Sequence, residues 1–293
     1  MACVTLKGIL ADARENHYAI PAFDVSNYEM IKAVIDVCEE ERSPAIFMLL
    51  KADLEGCAQK MLIDLIRSAA EAATVPVCIH LDHATVYEDV VSFIEAGGTS
   101  VMYDGSKLSL EENIANTRRV VEFAHAHGAT VEAELGHVAD AIGGLSETGC
   151  ASEDEPDIED CLTRPEQIVR FVKETEVDCL AVAIGTAHGV YISAPKLHFD
   201  RLREIEAVSE CPLVLHGGSG TPDRDVQRAI KLGITKINIF SEVLAAMNSG
   251  LKSKLNNIEN MAAWPVIVFS EAREQMRNVI RNKIRTFGSN GRV

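Results

Sequence analysis

Several features are absent from this 293-residue sequence, and each absence excludes a class of protein. No apolar run approaches the roughly 18 residues of a membrane-spanning helix. The segment Met1–Lys7 lacks the apolar core of a signal peptide, and the eight cysteines form no Cys-x-x-Cys pair. Because several cysteines lie within apolar patterns, we interpret them as small hydrophobic residues of a reduced, cytoplasmic protein.

Positive charge is also scarce: 28 Lys and Arg residues stand against 44 Asp and Glu residues, for a formal net charge of −16. Nucleic acids and anionic membranes both require a basic face, so neither is expected as a partner. A small anionic substrate would then need a local positive site, built from a metal ion and helix N-termini rather than from the overall charge.

Short apolar segments alternate with helical patterns along the whole chain. The pattern predicts eight strands, at 18–23, 44–50, 75–80, 100–104, 130–135, 179–184, 212–216 and 234–239. We therefore predict an α/β protein: a single (β/α)8 barrel of the TIM type, one domain over 1–293, with extra C-terminal helices to near Phe287. An open doubly wound sheet is the alternative, but no Gly-x-Gly-x-x-Gly follows the first strand.

Histidines follow three of the predicted strands. One strand ends in His80-Leu-Asp82-His83, and two others lead into His188 and His216. The carboxyl ends of parallel strands line the active site in such folds, and three histidines there can bind Zn²⁺ with one position left open. A single histidine would more often be a hydrogen-bonded core residue. Because three histidines share this position at a strand end, the pattern favours a metal site.

Three carboxylates accompany these histidines. Asp82 would either orient a neighbouring imidazole or move protons itself, and its spacing does not decide between the two. Asp104 and Glu134 end the fourth and fifth strands. A capping or loop-binding role for these two is as compatible with the pattern as a role with the metal.

Two small-residue loops follow the seventh and eighth strands: His216-Gly-Gly-Ser219-Gly and Asn238-Ile-Phe-Ser241-Glu. In (β/α)8 barrels these two loops and a helix N-terminus form a recurrent phosphate site. Glycine lets backbone N–H groups approach an anion, and the helix dipole favours negative charge. Either loop alone is weak evidence, but together they predict bound phosphate.

Taken together, these motifs resemble the class II, zinc-dependent ketose-bisphosphate aldolases, of which the tagatose- and fructose-bisphosphate enzymes are most similar. The resemblance covers nearly the whole chain. Its most specific pieces are Ile79-His-Leu-Asp-His83, Asp104-Gly-Ser106, Val131-Glu-Ala-Glu-Leu-Gly136, Ala183-Ile-Gly-Thr-Ala-His-Gly189, Leu215-His-Gly-Gly-Ser219 and Lys236-Ile-Asn238.

The resemblance implies that His83, His188 and His216 bind the catalytic Zn²⁺, and that Asp104 and Glu134 hold a second metal or support the first. It implies that Asp82 is the acid that protonates the departing aldehyde's oxygen in cleavage. The implied cradle for the dihydroxyacetone-phosphate half consists of Gly189, Gly217, Gly218, Ser219, Asn238, Ile239, Phe240 and Ser241. A monovalent cation (Na⁺ or K⁺) near these glycines and a homo-oligomer, either dimer or tetramer, are also implied.

The expected function is therefore reversible cleavage of a phosphorylated ketose to dihydroxyacetone phosphate and an aldehyde. A Zn²⁺ ion would stabilise the charge that develops beside the ketone. Two alternatives remain open: a zinc hydrolase on the same barrel, and a sugar-phosphate-binding relative that has lost catalysis.

The chain departs from the family pattern at the end of the site that takes the distal part of the sugar. Asp24 replaces the family's asparagine, and Leu50 stands where a small hydroxyl residue is expected. The family arginine that reaches a distal phosphate from the neighbouring subunit falls near Ser270, with Arg273 as a substitute. A distal phosphate is therefore expected to be held poorly.

The long, acidic segment 136–163 follows the fifth strand, where a lid would lie. Its first part is longer than the family's active-site loop. Within it, Glu147 is the candidate for the loop's proton-shuttling carboxylate.

Overall fold

The computed structural model describes residues 3–138, 161–189, 191, 195–260 and 262–293. Eight parallel strands close into a barrel in chain order, because β1 pairs with both β2 and β8. The predicted (β/α)8 barrel is thereby confirmed. The strands are β1 Ile20–Asp24, β2 Ala45–Leu50, β3 Val77–Ala84, β4 Ser100–Tyr103, β5 Thr130–Leu135, β6 Cys179–Val182, β7 Leu213–Leu215 and β8 Ile234–Ile239.

Helices cover the outside of the barrel. In the described part of the chain they are α1 Leu6–Glu15, α2 Tyr28–Glu41, α3 Ala58–Ala72, α4 Tyr87–Glu95, α5 Leu110–Ala126, α6 Pro165–Thr175, α7 Phe199–Val208, α8 Asp223–Lys231, α9 Ser241–Asn256, α10 Pro265–Val268 and α11 Ser270–Phe287. The capping box of Ser109 and Glu112 starts α5, and Pro165 starts α6 at its first position. None of the helices in these described ranges has the length and apolar character that a membrane crossing needs.

The lower half of the barrel interior is apolar and is closed by α1. Val4 N donates to Val77 O at the start of β3 (2.8 Å), and Leu6 N donates to Thr130 Oγ1 at the start of β5 (3.2 Å). These bonds place α1 across the amino ends of the strands, where its Leu10 packs into the interior. The sequence pattern had not predicted this helix. Because one end of the barrel is plugged, only the carboxyl end is open for a site.

The expected extra C-terminal helices are α9, α10 and α11. Helix α11 crosses α9 closely: a Cβ added at Gly250 would lie 2.5 Å from the Ala272 Cα. On its other side α11 meets α2 through an ionic contact in which Arg277 and Arg281 donate to Glu40. The last helix is therefore fixed by both shape and charge.

We expect Leu10→Ala to lower the free energy of unfolding by about 2–5 kcal/mol, because it opens a cavity among residues that cannot all collapse into it. Leu10 is 1% exposed in the plug. Met61→Ala is the matched control, because Met61 is 64% exposed and its loss should cost within about 0.5 kcal/mol. Urea denaturation measures both. Equal, small losses would contradict the role of α1 as a packed plug.

Candidate active site

The carboxyl ends of the strands surround a cavity of about 570 Å³. Its described lining residues are Asp24, Leu50, Lys51, Ala52, Asp82, His83, Asp104, Lys107, His137, Val138, His188, Gly189, Gly217, Ser219, Asn238 and Phe240. The barrel thus brings into one cavity side chains that lie far apart in the sequence.

His83 and His188 line this cavity, and the fully buried His216 meets them beneath its lining. One ring nitrogen from each lies within 4.8 Å of the others. His216 Nδ1 is 2.9 Å from His83 Nε2, and His188 Nε2 is buried without a hydrogen-bond partner among the described residues. Three converging imidazoles with an unsatisfied buried nitrogen match the donor set of a Zn²⁺ site with an open position.

Neighbouring carboxylates orient two of these imidazoles. His83 Nδ1 lies 3.1 Å from Asp104 Oδ2, and His216 Nε2 lies 2.8 Å from Glu132 Oε1. If each of these nitrogens donates its proton to the carboxylate, the other nitrogen presents a lone pair to the centre. The site therefore has the second set of contacts that metal-binding histidines usually need.

His83 occupies this position because β3 is irregular at its end. The strand shifts register between Leu81 and Ala84, and His83 has a left-handed φ of 48°. Such a conformation is costly for a residue other than glycine and persists where the surroundings enforce it. The irregularity separates the two histidines of the motif: His83 faces the cavity, whereas His80 is fully buried beneath it and contacts Ser100 Oγ at 2.9 Å.

The site carries an excess of negative charge. Burial opposes a charge on His83, but the carboxylates of Asp82, Asp104 and Glu134 outweigh burial and raise its pKa to about 10. Burial, and then the nearby Asp104 carboxylate, raises the pKa of Glu134 to about 8. Both shifts have one electrostatic meaning: the centre favours a bound positive charge. A divalent cation satisfies this demand as well as a proton does.

A second group of possible ligands shares His83 with the first. One ligand atom each from His83, Asp104 and Glu134 lies within 4.8 Å of the others. Glu134 Oε1 accepts a hydrogen bond from Val138 N (2.9 Å), while its buried Oε2 has no hydrogen-bond partner in the described ranges. The two carboxylates predicted at strand ends thus lie at the histidine centre and also bind loop backbone, since Asp104 Oδ1 accepts a hydrogen bond from Ser106 N at 3.0 Å.

Asp82 lies beside the centre and belongs to neither group of possible ligands found among the described residues. It is 3% exposed, it lines the cavity, and its Oδ2 is 4.0 Å from His83 Nε2. Its Oδ1 accepts a hydrogen bond from Asn238 Nδ2 (3.3 Å). This carboxylate is therefore positioned to exchange a proton with a molecule in the cavity.

The glycine-rich end of the cavity is built by close backbone contacts. A Cβ at Gly217 would lie 2.2 Å from Ala187 O, and one at Gly218 would lie 2.4 Å from Ile237 Cγ2, so no larger residue fits either position. Ser219 Oγ accepts from Phe240 N at 3.2 Å, which ties this loop to the start of α9. The two predicted phosphate loops are thus joined at a helix N-terminus.

Not every residue predicted for the phosphate cradle faces the cavity. Gly189, Gly217, Ser219, Asn238 and Phe240 line it, whereas Gly218, Ile239 and Ser241 are absent from its described lining. The Ile239 side chain packs in the core outside the barrel, so only its backbone is available to a ligand.

The distal side of the cavity carries Asp24 and Leu50, as the sequence predicted. Among the described lining residues on any side there is no arginine, and the lysines are Lys51 and Lys107. Lys51 is paired with Asp89. Arg273 pairs with Glu29 of its own chain at 3.3 Å and is not among the described lining residues of this cavity. Its role at the neighbouring subunit's site stays a prediction.

One predicted catalytic residue, Glu147, lies outside the described residues. His137 and Val138, which precede the undescribed segment, line the cavity and had not been singled out from the sequence. Glu132 and Lys236 had also been missed as functional residues. Their spacing was a usable signal, because each stands two residues before a site residue and so faces the same side of its strand.

A closed barrel with a histidine centre, a free carboxylate and a glycine-rich loop around one cavity is an enzyme of the metal-dependent type. The sequence model of the family described as fructose-bisphosphate aldolase class-II matches residues 4–292. The chain therefore belongs to the class II fructose-bisphosphate aldolase family and is an aldolase, a carbon–carbon lyase.

Solved structures agree with this assignment. The YdjI aldolase from Escherichia coli K12 is 33% identical over 99% of each chain, with a TM-score of 0.84. A putative fructose-1,6-biphosphate aldolase from Coccidioides immitis is 29% identical over 97% of this chain and 96% of that one, with a TM-score of 0.84. The fructose-bisphosphate aldolase Fba from Campylobacter jejuni is 20% identical over 100% and 97%, with a TM-score of 0.81, and supports the fold alone.

The convergence of the three imidazoles predicts that His83→Ala, His188→Ala and His216→Ala each lose bound zinc and aldolase activity, because two nitrogens hold the ion less well than three. Metal content after dialysis and turnover are the measurements. His127→Ala, at the exposed end of α5, is the control and should keep both. Full zinc occupancy with normal turnover in any of the three variants would remove that residue from the ligand set.

Proposed function

We propose that the protein is a zinc-dependent aldolase that reversibly cleaves a ketose 1-phosphate to dihydroxyacetone phosphate and an aldehyde. The observation that carries the proposal is a cavity lined by His83, His188, the Asp82 carboxylate and a glycine loop at a helix N-terminus, with the imidazole of the buried His216 converging on the other two. His83, His188 and His216 would hold the ion. When bound, Zn²⁺ supplies a Lewis acid next to the ketone, where negative charge develops.

Asp82 would move the proton at the aldehyde half. Cleavage breaks the bond between C3 and C4, and the C4 hydroxyl must lose its proton as its oxygen becomes the aldehyde carbonyl. The Asp82 carboxylate accepts that proton, so in cleavage Asp82 acts as a base and not as the acid that the resemblance implied. In the condensation direction it returns the proton to the same oxygen. Asn238 holds one oxygen of Asp82 at 3.3 Å, so the other oxygen remains available to the substrate.

The other end of the ketose would be held at the joined loops. Gly217 and Ser219 line the cavity there, close packing of Gly217 against Ala187 O fixes the loop backbone, and Ser219 adds a hydroxyl. The N-terminus of α9 favours negative charge there. This local arrangement lets a protein of net charge −16 hold a phosphate. We also propose that a monovalent cation, Na⁺ or K⁺, supports the phosphate near these glycines.

Metal analysis together with a coupled assay for dihydroxyacetone phosphate tests the proposal. Release of dihydroxyacetone phosphate that depends on zinc is the expected result. Phosphate or another hydrolysis product in its place would identify a zinc hydrolase. Binding of a ketose phosphate without any turnover would identify a relative that has lost catalysis.

Replacing Asp82 tests its assignment to proton transfer. Asp82→Ala should lower kcat by roughly 10²–10⁴-fold, the usual cost of a lost general acid or base, while zinc content and substrate binding stay unchanged. Asp82→Asn should behave in the same way, because an amide keeps the shape but cannot carry the proton. Loss of zinc together with the rate would place Asp82 in the coordination shell instead.

We further propose that the substrate lacks an ordinary distal phosphate. Leu50 offers no hydrogen bond, Lys51 is engaged by Asp89, and Asp24 is a negative charge on the same cavity. A phosphate dianion without partners forfeits charge-assisted hydrogen bonds of about 1.5–3 kcal/mol each. A ketose 1-phosphate whose distal end is uncharged or differently charged fits this side better.

This difference predicts weak activity on fructose 1,6-bisphosphate and tagatose 1,6-bisphosphate. The measurement is kcat/KM for matched ketoses with and without the 6-phosphate, and the compound without it should be preferred. Asp24→Asn restores the family residue and should raise kcat/KM for the bisphosphates, because it removes a repulsive charge.

Asp53→Asn serves as the charge-matched control, because Asp53 does not line the cavity and its loss should leave the ratio unchanged. A preference of about 100-fold for the bisphosphate in the wild-type protein would overturn the proposal.

A further inference from the structure

A layer of buried polar residues lies directly beneath the cavity. His80, Glu132 and Lys236 are each 0% exposed. Lys236 Nζ is 2.9 Å from Glu132 Oε2 and also donates to Asn238 Oδ1 at 2.7 Å. Lys236 does not line the cavity, so it cannot touch a substrate there. Burying an ion pair costs free energy, because both charges lose their hydration. A pair that is retained directly beneath the cavity therefore points to a role in the site.

The first contact leads to the histidine centre. Glu132 uses its two oxygens separately: Oε2 faces Lys236, and Oε1 meets His216 Nε2 at 2.8 Å. A carboxylate cannot remain charged in a dry interior without a partner, and the Lys236 ammonium is that partner. With Glu132 held as an anion, His216 donates from Nε2 and its Nδ1 keeps a lone pair toward His83.

The second contact leads to Asp82. An ammonium only donates hydrogen bonds, so Lys236 turns the oxygen of the Asn238 amide toward itself. The amide nitrogen must then point the other way, and it donates to Asp82 Oδ1 at 3.3 Å. A reversed amide would present an oxygen to the Asp82 carboxylate and would repel it. One ammonium thus decides which end of Asn238 faces Asp82.

We propose that Lys236 is a positioning residue that sets the metal centre and the proton-transfer group together, through Glu132 on one side and Asn238 on the other. The roles of His216 and Asp82 rest on the proposed function, whereas the orientation of the two side chains does not. Lys236 therefore does more than pair with Glu132 inside the barrel. Its removal should disturb both His216 and Asp82.

Lys236→Met tests this, because methionine has a similar length and no charge. Zinc affinity, measured by competition with a chelating indicator, should fall by about 10- to 100-fold, the usual effect of losing such an outer contact. In zinc-saturated protein, kcat should fall by a similar factor while KM changes little, because Lys236 does not touch the cavity. In the metal-free protein, the ¹⁵N imidazole spectrum should show that His216 no longer keeps its proton on Nε2.

Lys283→Met is the matched control. Lys283 is also buried, at 3% exposure, and pairs with Glu242 at 2.7 Å, but it contacts neither Glu132 nor Asn238 among its described partners. Its loss should lower stability while zinc affinity and the His216 spectrum stay as in the wild type. A Lys236→Met protein that keeps zinc affinity within twofold, the His216 signal and kcat would overturn the proposal.

Two further measurements cover a Lys236→Met variant that fails to fold. The double variant Lys236→Met with Glu132→Gln removes both charges and leaves no unpaired ion, and it should show the same losses. The wild-type protein without metal should show the His216 proton on Nε2, and a proton on Nδ1 would overturn the proposal by itself. Because these spectra need no turnover, they remain decisive if the wild type fails to cleave any ketose phosphate.

Discussion

Closure of the barrel is the constraint on which the rest of this structure depends. Once β1 pairs with β8, every second strand residue must face a dry interior. The interior has three levels: an apolar base sealed by α1, a polar layer of His80, Glu132 and Lys236, and the open site. The two charged members of the polar layer are tolerated because Lys236 pairs with Glu132. This ion pair fixes the position of the side chains directly beneath the site.

The protein has a negative net charge, yet the substrate of its family is an anion. The local arrangement of charges in the cavity explains how the two are compatible. Carboxylates crowd the histidine centre and raise the pKa of His83 despite burial, so this part of the cavity favours a cation. At the proposed phosphate site, the loops at Gly217 and Ser219 would offer backbone groups and a helix N-terminus to an anion. Side chains would thus bind the cation, and backbone groups would bind the anion.

Much of the fold and part of the site were predictable from local patterns. Apolar strands that end in His188 and His216 predicted both the barrel and the strand-end cavity. The pattern could not choose between His80 and His83, because the choice depends on the irregular end of β3. Helix α1 was missed although its buried Leu6, Ile9, Leu10 and Ala13 stand at helical spacing. Its role as a plug depends on contacts with strands distant in sequence. Glu132 and Lys236 were missed because their pairing joins strands distant in sequence.

The pairing of the first strand with the last also bears on how the protein is made. During synthesis the chain emerges from its amino end, so β1 must wait for β8 before its second edge is covered. Until β8 has formed, Glu132 cannot pair with Lys236 and Asp82 cannot accept a hydrogen bond from Asn238. Neither the polar layer nor the cavity exists before that point. A nascent chain without β8 therefore has no assembled site, and the second edge of its β1 is unpaired.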